Sequence, residues 1–428
     1  MIKFQKKVLS NGLRVIVAPM ENTQAVTLLV LVGVGSRYET KKISGISHFL
    51  EHLFFKGTKS RPKSGHVHRD LDKIGAIHNA FTSKETTGFW VKSSAKDFDT
   101  SLDIVSDILL ESLFKKEEIE KERGVIIQEI SMYEDEPMRK VWDVLESLTY
   151  GDHPIGWSIV GEKETVSSIR RSDIIAYKNK NYLSQNMVVV VAGAVDSFVA
   201  FEKIGNVFKK IKKGKNKRAL KARISQKNPR VKIINKPSDQ THLAMAVRGY
   251  DMYDKKRHAL NLLAVILGGN ASSKLFDEIR EKLGLAYYVF ANSDQSTDCG
   301  YLGIGIGVSH DNSERAVKKT FEILRALKKE VLSQNELKFA KSFLRGQMAL
   351  KMETTDEVAA FCASRELFYK KIEQPEDMLK KIEKVTGSDI LKITRELFVP
   401  SRINISAIGF EEKVPSKESF YKKLFSRL

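Results

Sequence analysis

The stretch His48-Phe49-Leu50-Glu51-His52 says more about this 428-residue chain than any other segment. On a helix, two histidines four residues apart lie one above the other on a single face, so both imidazoles can bind one ion. Imidazole nitrogen is a preferred ligand of zinc. Glu51 points in a different direction from the helix, although it stays near enough to hold a metal-bound water. The pattern therefore predicts a metal site on a helix.

A catalytic zinc needs three protein ligands and an open position for water, so a third ligand must come from elsewhere. Residues 117–129 have the pattern of an amphipathic helix rich in strong helix formers. Within it, Glu122 and Glu129 are two turns apart and share a face. One could bind the metal while the other supports a ligand by a hydrogen bond. A solvated, charged helix face is the alternative interpretation.

Residues 48–58, followed by Glu122 and Glu129, resemble the pitrilysin/insulinase family of zinc metallopeptidases, which includes the mitochondrial processing peptidases and their short bacterial relatives. The His-x-x-Glu-His order is the reverse of the commoner zinc-peptidase order and is called the inverzincin signature. Further segments resemble the family in the same order along the chain: residues 9–15, 79–87, 153–161 and 268–287. Several separated motifs in the right order are more specific than any one of them.

The resemblance implies a zinc endopeptidase with one zinc per chain. It implies that His48, His52 and Glu129 bind the metal. It also implies that Glu51 is the general base and that Glu122 assists. Through a metal-bound water, such a site hydrolyses peptide bonds in peptides or unfolded polypeptide segments.

The resemblance further implies which residues contact the substrate. Arg280 and Tyr287, in the second half of the chain, would reach the substrate near the zinc. A peptide would add itself as a strand to an exposed sheet edge, where Asn79 and Ala80 match the family's substrate-contacting positions. Phe55 would form a wall of the pocket beside the scissile bond, and a plain core phenylalanine is the alternative interpretation.

The chain also contains an internal repeat of domain size. Apolar strand runs at residues 26–32 and 241–247 are each followed by a helix, and the strands 187–193 and 403–409 close the two halves. We therefore predict an α+β fold of two tandem homologous α+β domains, each an antiparallel-rich sheet covered by helices. The resemblance implies that the two domains face each other across a chamber.

The repeat also predicts where a metal site is absent. Aligning Gly57 with Gly269 places Leu260, Leu263 and Ala264 opposite the three metal-site residues of the histidine motif. Apolar side chains cannot bind zinc, so the second half should contribute substrate contacts but no metal ligand.

The basic run at residues 209–223 suggests the boundary between the halves. We predict a zinc-bearing catalytic domain at 1–208, a basic linker at 209–230 and a homologous domain without a metal site at 231–428. Like charges repel one another, and a segment with little to bury is typical of a solvated linker. A nucleic-acid patch is the alternative, but the run lacks interleaved aromatic residues.

Composition narrows the possible partners and the possible cellular location of the protein. The formal net charge is +19, yet no nucleic-acid-binding motif accompanies it, so we expect charge spread over solvated faces and no specific nucleic acid. Cys299 and Cys362 are too few for a disulfide framework and fit a reducing compartment. The N-terminal residues lack an apolar signal region and no segment is long enough to cross a bilayer, so we expect a cytoplasmic protein and no membrane contact.

Two functions remain open at this stage. The first is an active zinc endopeptidase. The alternative is a non-catalytic partner subunit or peptide-binding scaffold of a heterodimeric peptidase, because some members of the family have lost their zinc residues. Resemblance to the short bacterial members implies that two chains pair. A homodimer is the simplest case, and a heterodimer with a related subunit is the other.

Overall fold

The computed structural model describes residues 1–216, 218–223, 225–409 and 414–425. The chain divides into two compact units, each built on one β-sheet. Unit 1 comprises Met1–Ser131, Trp157–Leu220 and Met348–Pro375, and unit 2 comprises Met132–Gly156, Lys221–Gln347 and Glu376–Leu428.

Unit 1 contains a six-stranded sheet. Its strands are β1 (Gln5–Val8), β2 (Arg14–Pro19), β3 (Ala25–Val32), β4 (Ile77–Thr82), β5 (Thr87–Ser94) and β6 (Met187–Gly193). The spatial order is β1-β2-β6-β3-β5-β4, in which only β2 and β6 are parallel. The central strands β3 and β6 are almost entirely apolar and buried, as expected for strands covered on both faces. Strand β4 lies at an edge.

Unit 2 contains a five-stranded sheet. Its strands are β7 (Arg230–Asn235), β8 (Thr241–Arg248), β9 (Ala286–Gln295), β10 (Gly300–Val308) and β11 (Ile403–Gly409). The spatial order is β7-β11-β8-β10-β9, and β7 and β11 are the parallel pair. This order repeats the β2-β6-β3-β5-β4 part of the first sheet, strand for strand and direction for direction. The predicted α+β fold with two homologous sheets is therefore confirmed.

The helices follow in chain order. They are α1 (Ile46–Phe54), α2 (His66–Lys73), α3 (Phe98–Glu111), α4 (Lys116–Asp135), α5 (Pro137–Tyr150), α6 (Lys163–Ser168), α7 (Arg171–Asn181), α8 (Ser197–Phe208), α9 (Arg257–Gly268), α10 (Ser313–Lys329), α11 (Gln334–Lys351), α12 (Thr355–Ser364), α13 (Pro375–Glu383), α14 (Gly387–Leu397) and α15 (Val414–Phe425). Two short π-helical segments span Phe276–Lys282 and Arg365–Tyr369. No helix in the described part of the chain has both the length and the apolar character needed to cross a bilayer.

One face of the first sheet is covered by a helix that comes late in the sequence. On α12, Val358 and Cys362 are buried in one cluster with Leu29 of β3 and Val190 of β6. Because successive side chains of a strand point to opposite faces of the sheet, the residues of this cluster lie on one face, and neighbours such as Val30 point to the other face. The π-helical segment after α12 is also fixed to unit 1.

The second sheet receives a helix from the first half of the sequence in the same way. On α5, Val141 and Leu145 are buried with Ala244 of β8 and Ile408 of β11. Thus α5 belongs to unit 2 and α12 to unit 1. The predicted ranges 1–208 and 231–428 do not account for this exchange of helices between the two halves of the sequence.

The first part of the basic run is a fixed turn. Asn11 Nδ2 donates hydrogen bonds to the carbonyl oxygens of Phe208 (3.0 Å) and Ile211 (3.1 Å). The backbone N–H of Ser184 donates to the carbonyl oxygen of Lys212 at 3.1 Å. These bonds attach residues 209–212 to unit 1, whereas the sequence predicted a solvated linker beginning at residue 209.

Candidate metal centre

Helix α1 carries the histidine motif and is fixed at its start by the buried carboxyl group of Glu39. Glu39 accepts hydrogen bonds from the backbone N–H groups of Gly45 (2.7 Å) and Ser47 (2.8 Å). Such N–H groups at a helix start have no partner within the helix. Burial raises the pKa of Glu39 to about 8, against the opposing effect of these hydrogen bonds. Glu39 was not among the predicted residues, because it matches no capping pattern at the helix start.

The buried side of α1 fixes the direction of the histidines. Phe49, Leu50 and Leu53 are at most 1% exposed, and they anchor the helix in rotation as well as in position. His48 and His52 then project from the remaining face, one turn apart.

Helix α4 brings the two predicted glutamates to the same place. Its buried side consists of Ile119, Ile126 and Ile130. Glu122 and Glu129 each follow one of these isoleucines by three residues, so they lie beside the buried face. Glu122 is only 5% exposed. The alternative of a fully solvated helix face therefore does not describe this side of α4.

The three predicted metal ligands converge. His48 Nε2 lies 3.6 Å from Glu129 Oε1, and His52 Nε2 lies 3.6 Å from Glu129 Oε2. One ligand atom from each of the three residues lies within 4.8 Å of the others. Ligand atoms that are about 2.1 Å from a tetrahedral zinc lie roughly 3.4 Å from one another. The donor set and its spacing thus fit one zinc ion.

A second layer of contacts fixes the imidazole of His52. Its Nδ1–H donates a hydrogen bond to Glu122 Oε2 at 3.0 Å, and Lys56 Nζ lies 2.6 Å from Glu122 Oε1. Burial opposes ionisation of Glu122, but the hydrogen bonds from His52 and Lys56 outweigh it and lower the pKa of the carboxyl group. The Nδ1–H tautomer leaves the Nε2 lone pair directed toward Glu129, as a metal ligand requires.

Glu51 lies beside this cluster and is held from the edge strand. The hydroxyl of Thr82 on β4 donates a hydrogen bond to Glu51 Oε2 at 2.6 Å. Burial raises the pKa of Glu51, and the hydrogen bond from Thr82 partly counteracts this effect. Thr82 was not predicted as a site residue, although it lies within the predicted edge strand. Its strand faces α1, and period-two alternation from Ala80 could have indicated it.

The described residues of the second half offer no comparable ligand set. Leu260, Leu263 and Ala264 lie on α9 and are buried, which matches the apolar positions expected there. Among the described residues, the only group of three or more metal-binding side chains is formed by His48, His52 and Glu129.

Arg280 and Tyr287 both belong to unit 2. Arg280 lies on the π-helical segment Phe276–Lys282, with its guanidinium 4.7 Å from the centre of the Phe276 ring. Tyr287 lies on the edge strand β9 and is 66% exposed. Both side chains are thus accessible within their unit, and their role at the zinc stays a prediction.

The other predicted substrate contacts lie on β4 and at the end of α1. Asn79 and Ala80 occupy the middle of β4, which is an edge strand of the sheet that the described residues form. Phe55 ends α1, and its ring stacks on His68, with ring centroids 5.3 Å apart and an angle of 13° between the planes. Phe55 is half-buried, and its contact with the substrate stays a prediction.

Comparisons with known proteins agree with this architecture. Residues 14–163 match the family described as Insulinase (Peptidase family M16), and residues 168–344 match the family described as Peptidase M16 inactive domain. Two similar proteins are the uncharacterized zinc protease YmxG of Bacillus subtilis, with 32% identity over 91% of this chain and 94% of that protein, and an uncharacterized zinc protease of Rickettsia felis, with 33% identity over 94% of this chain and 96% of that protein.

A solved structure has the same fold over nearly the whole length. The crystal structure of a protease from Helicobacter pylori superposes with a TM-score of 0.90, at 27% identity, and the match covers 96% of this chain and 100% of that one. The resemblance carried by residues 48–58 is thereby confirmed, and the chain belongs to the insulinase family of peptidases, peptidase family M16.

Proposed function

We propose that the chain is a zinc-dependent endopeptidase that hydrolyses peptides or unfolded polypeptide segments. The observation that carries the proposal is the convergence of His48, His52 and Glu129 with the carboxylate of Glu51 beside them. Its zinc-protease relatives support the same metal. We expect one zinc per chain, because the described residues provide one such ligand set.

The roles of the side chains follow from their environments. Bound zinc supplies a Lewis acid for the scissile carbonyl and a water whose pKa falls to about 7. Glu51 accepts the proton of the attacking water and returns it to the leaving amine. Burial raises the pKa of Glu51, which suits a carboxylate that must carry a proton between two steps. Thr82 keeps that carboxylate in one orientation, and Glu122 holds His52.

The edge of β4 supports a binding mode for the substrate. A peptide that pairs with this edge gains main-chain hydrogen bonds that do not depend on its sequence. Asn79 and Ala80 would contact it, and Phe55 would contact a side chain next to the scissile bond. Arg280 and Tyr287 would stabilise the developing oxyanion.

Assembly and location are parts of the same proposal. We expect a homodimer, with a heterodimer as the alternative, on the basis of the family resemblance alone. Sedimentation of the active protein as a monomer would contradict the pairing. Cys299 and Cys362 are both buried and neither forms a disulfide, which suits a reducing compartment such as the cytoplasm.

A single experiment tests the catalytic proposal. Zinc content and cleavage of a quenched fluorescent peptide pool are measured for the wild type, for Glu51→Gln, and for Glu117→Gln as a control on the exposed side of α4. We expect about one zinc per chain in all three proteins and cleavage by all except Glu51→Gln. A wild type that binds zinc but cleaves nothing would favour the partner-subunit function, and a wild type that binds no zinc would overturn the proposal.

A further inference from the structure

Unit 1 contains a cavity whose lining includes none of the metal-site residues. Its volume is about 390 Å³, and it lies between the end of α3, the end of α7 and the turn that follows α8. Cavities of about 300–1,000 Å³ are typical of small-molecule sites. The apolar part of its lining comprises Leu109, Leu110, Tyr182, Leu183, Met187 and Ile211.

The polar part of the lining comprises Asn179 and three lysines: Lys178 on α7, and Lys210 and Lys212 in the turn. Within the described part of the chain, none of the three ammonium groups is within ion-pair distance of a carboxylate. The carboxylate whose charge acts on Lys178 is that of Glu111, and Lys59 already binds it at 2.5 Å. The cavity therefore has excess positive charge beside an apolar surface.

The three lysines differ in exposure, because the side chains of Lys210 and Lys212 are exposed and that of Lys178 is partly buried. Lys178 is half-buried, and burial lowers the pKa of its ammonium group, so an anion that approached it would be favoured by both charge and low polarity. The turn that carries Lys210 and Lys212 is attached by hydrogen bonds from Asn11 and Ser184 to its backbone. These two lysines belong to the basic run that the sequence suggested was a solvated linker.

We propose that this cavity binds a molecule that has a single carboxylate on a short apolar body. The apolar lining favours burial of a hydrocarbon surface, worth about 25 cal/mol per Å², and the three ammonium groups favour the carboxylate. Two sources share this chemistry: a medium-chain fatty acid, and the C-terminal carboxylate of an apolar peptide. The proposal does not depend on the proposed peptidase activity.

The cavity adjoins the helix that carries the histidine motif. The ring of Tyr182 lies in its lining, and the same ring packs against Phe54 of α1 with centroids 5.3 Å apart. Tyr182 also contacts Phe89 of β5. The ring of Tyr182 would thus lie between the ligand and α1, and the ligand would not occupy the proposed substrate-binding edge of β4.

Calorimetric titration tests the proposal on the full-length protein. The probes are octanoate and N-acetyl-leucyl-leucine, and the matched uncharged probes are octanol and the amidated dipeptide. The variants are Lys178→Met, the double variant Lys210→Met with Lys212→Met, and Lys180→Met. Lys180 is exposed on the same helix and does not line the cavity, so it serves as the control. Thermal melts confirm that each variant is folded.

We expect saturable binding of at least one carboxylate probe to the wild type and to Lys180→Met, and the probe that binds identifies the source. Loss of a charge-assisted contact in Lys178→Met should weaken the affinity for the carboxylate probe about tenfold or more. The double variant should also bind this probe more weakly than the wild type. The uncharged probes should bind less tightly than the carboxylates. Absence of saturable binding of both carboxylates at millimolar concentrations, or equal binding by the wild type and both lysine variants, would overturn the proposal.

Discussion

At the residue scale, the metal centre depends on how tightly each ligand is oriented before an ion arrives. His52 is fixed through the nitrogen that does not face Glu129, by the hydrogen bond from its Nδ1–H to Glu122. Glu122 is fixed in turn by Lys56. A partly buried hydrogen bond of this kind selects the tautomer of the imidazole and reduces the conformational freedom of the side chain that zinc binding would otherwise have to remove.

The first prediction concerns this hydrogen bond. Glu122→Gln can no longer provide two carboxylate oxygens to His52 and Lys56, so we expect the affinity for zinc to fall about ten- to a hundredfold. Competition with a chromophoric chelator measures this affinity for zinc, and Glu117→Gln is the control on the same helix. Equal affinity in the wild type and Glu122→Gln would show that Glu122 has no orienting role.

The second prediction concerns Thr82. Its hydroxyl stabilises the ionised form of Glu51 and so lowers the pKa of that carboxyl. Thr82→Val removes the donor at similar volume, so the pKa of Glu51 should rise. If Glu51 is the general base, as proposed, it must be ionised to act, so the acidic limb of the kcat/KM profile should move to higher pH, with the largest loss of activity at low pH. Thr82→Ser keeps the hydroxyl and should resemble the wild type, and unchanged profiles for both would contradict the assignment.

At the scale of the elements, the start of α1 is the least expected part of the site. The buried carboxyl group of Glu39 accepts hydrogen bonds from two backbone N–H groups there. Burial raises the pKa of this group from 4.5 to about 8. Between these two values the folded protein binds a proton that the unfolded chain lacks. Stability therefore decreases as the pH rises through this window.

The third prediction follows from this decrease of stability with rising pH. The free energy of unfolding of the wild type, measured relative to Glu39→Gln by urea titration, should decrease from pH 5 toward pH 8. Glu39→Gln cannot titrate at this position, so the comparison removes the contribution of other groups. A difference between the two proteins that is independent of pH would show that Glu39 keeps the same charge in the folded and unfolded states.

Much of the local structure is predictable at this scale. The helical spacing of His48 and His52, and of Glu122 and Glu129, predicted which side chains share a face, and the structure brings His48, His52 and Glu129 together. Glu39 escaped prediction because its contacts with the start of α1 depend on the path of the loop between them. The patterns of α5 and α12 show which side of each helix is buried, but not which of two sheets covers it.

At the scale of the whole molecule, two similar sheets each take one helix from the other half of the sequence. Removing α12 from unit 1 would expose the face of the sheet that carries Leu29 and Val190. Exposed apolar surface of this extent cannot be stabilised by the rest of the unit. Unit 1 thus depends on a segment that follows most of unit 2 in the sequence.

The fourth prediction tests this dependence. A fragment of residues 1–230 contains the histidine motif and Glu129 but lacks α12, so we expect no cooperative thermal unfolding and aggregation above the level of the full chain. Mixing it with residues 231–428 should restore a cooperative transition, because the second fragment supplies α12 and the first supplies α5. Stable, cooperative folding of residues 1–230 alone would contradict the exchange.

The exchange of helices also means that unit 1 is completed late during synthesis of the chain. A ribosome adds about 5–20 residues per second, so on the order of ten to thirty seconds separate the synthesis of β6 from that of α12. Throughout this interval the nascent sheet has one uncovered apolar face, which makes it a target for chaperones and a hazard for aggregation. Prematurely terminated chains would lack α12, so the cell would not accumulate stable N-terminal fragments that carry a working zinc site without the rest of the enzyme.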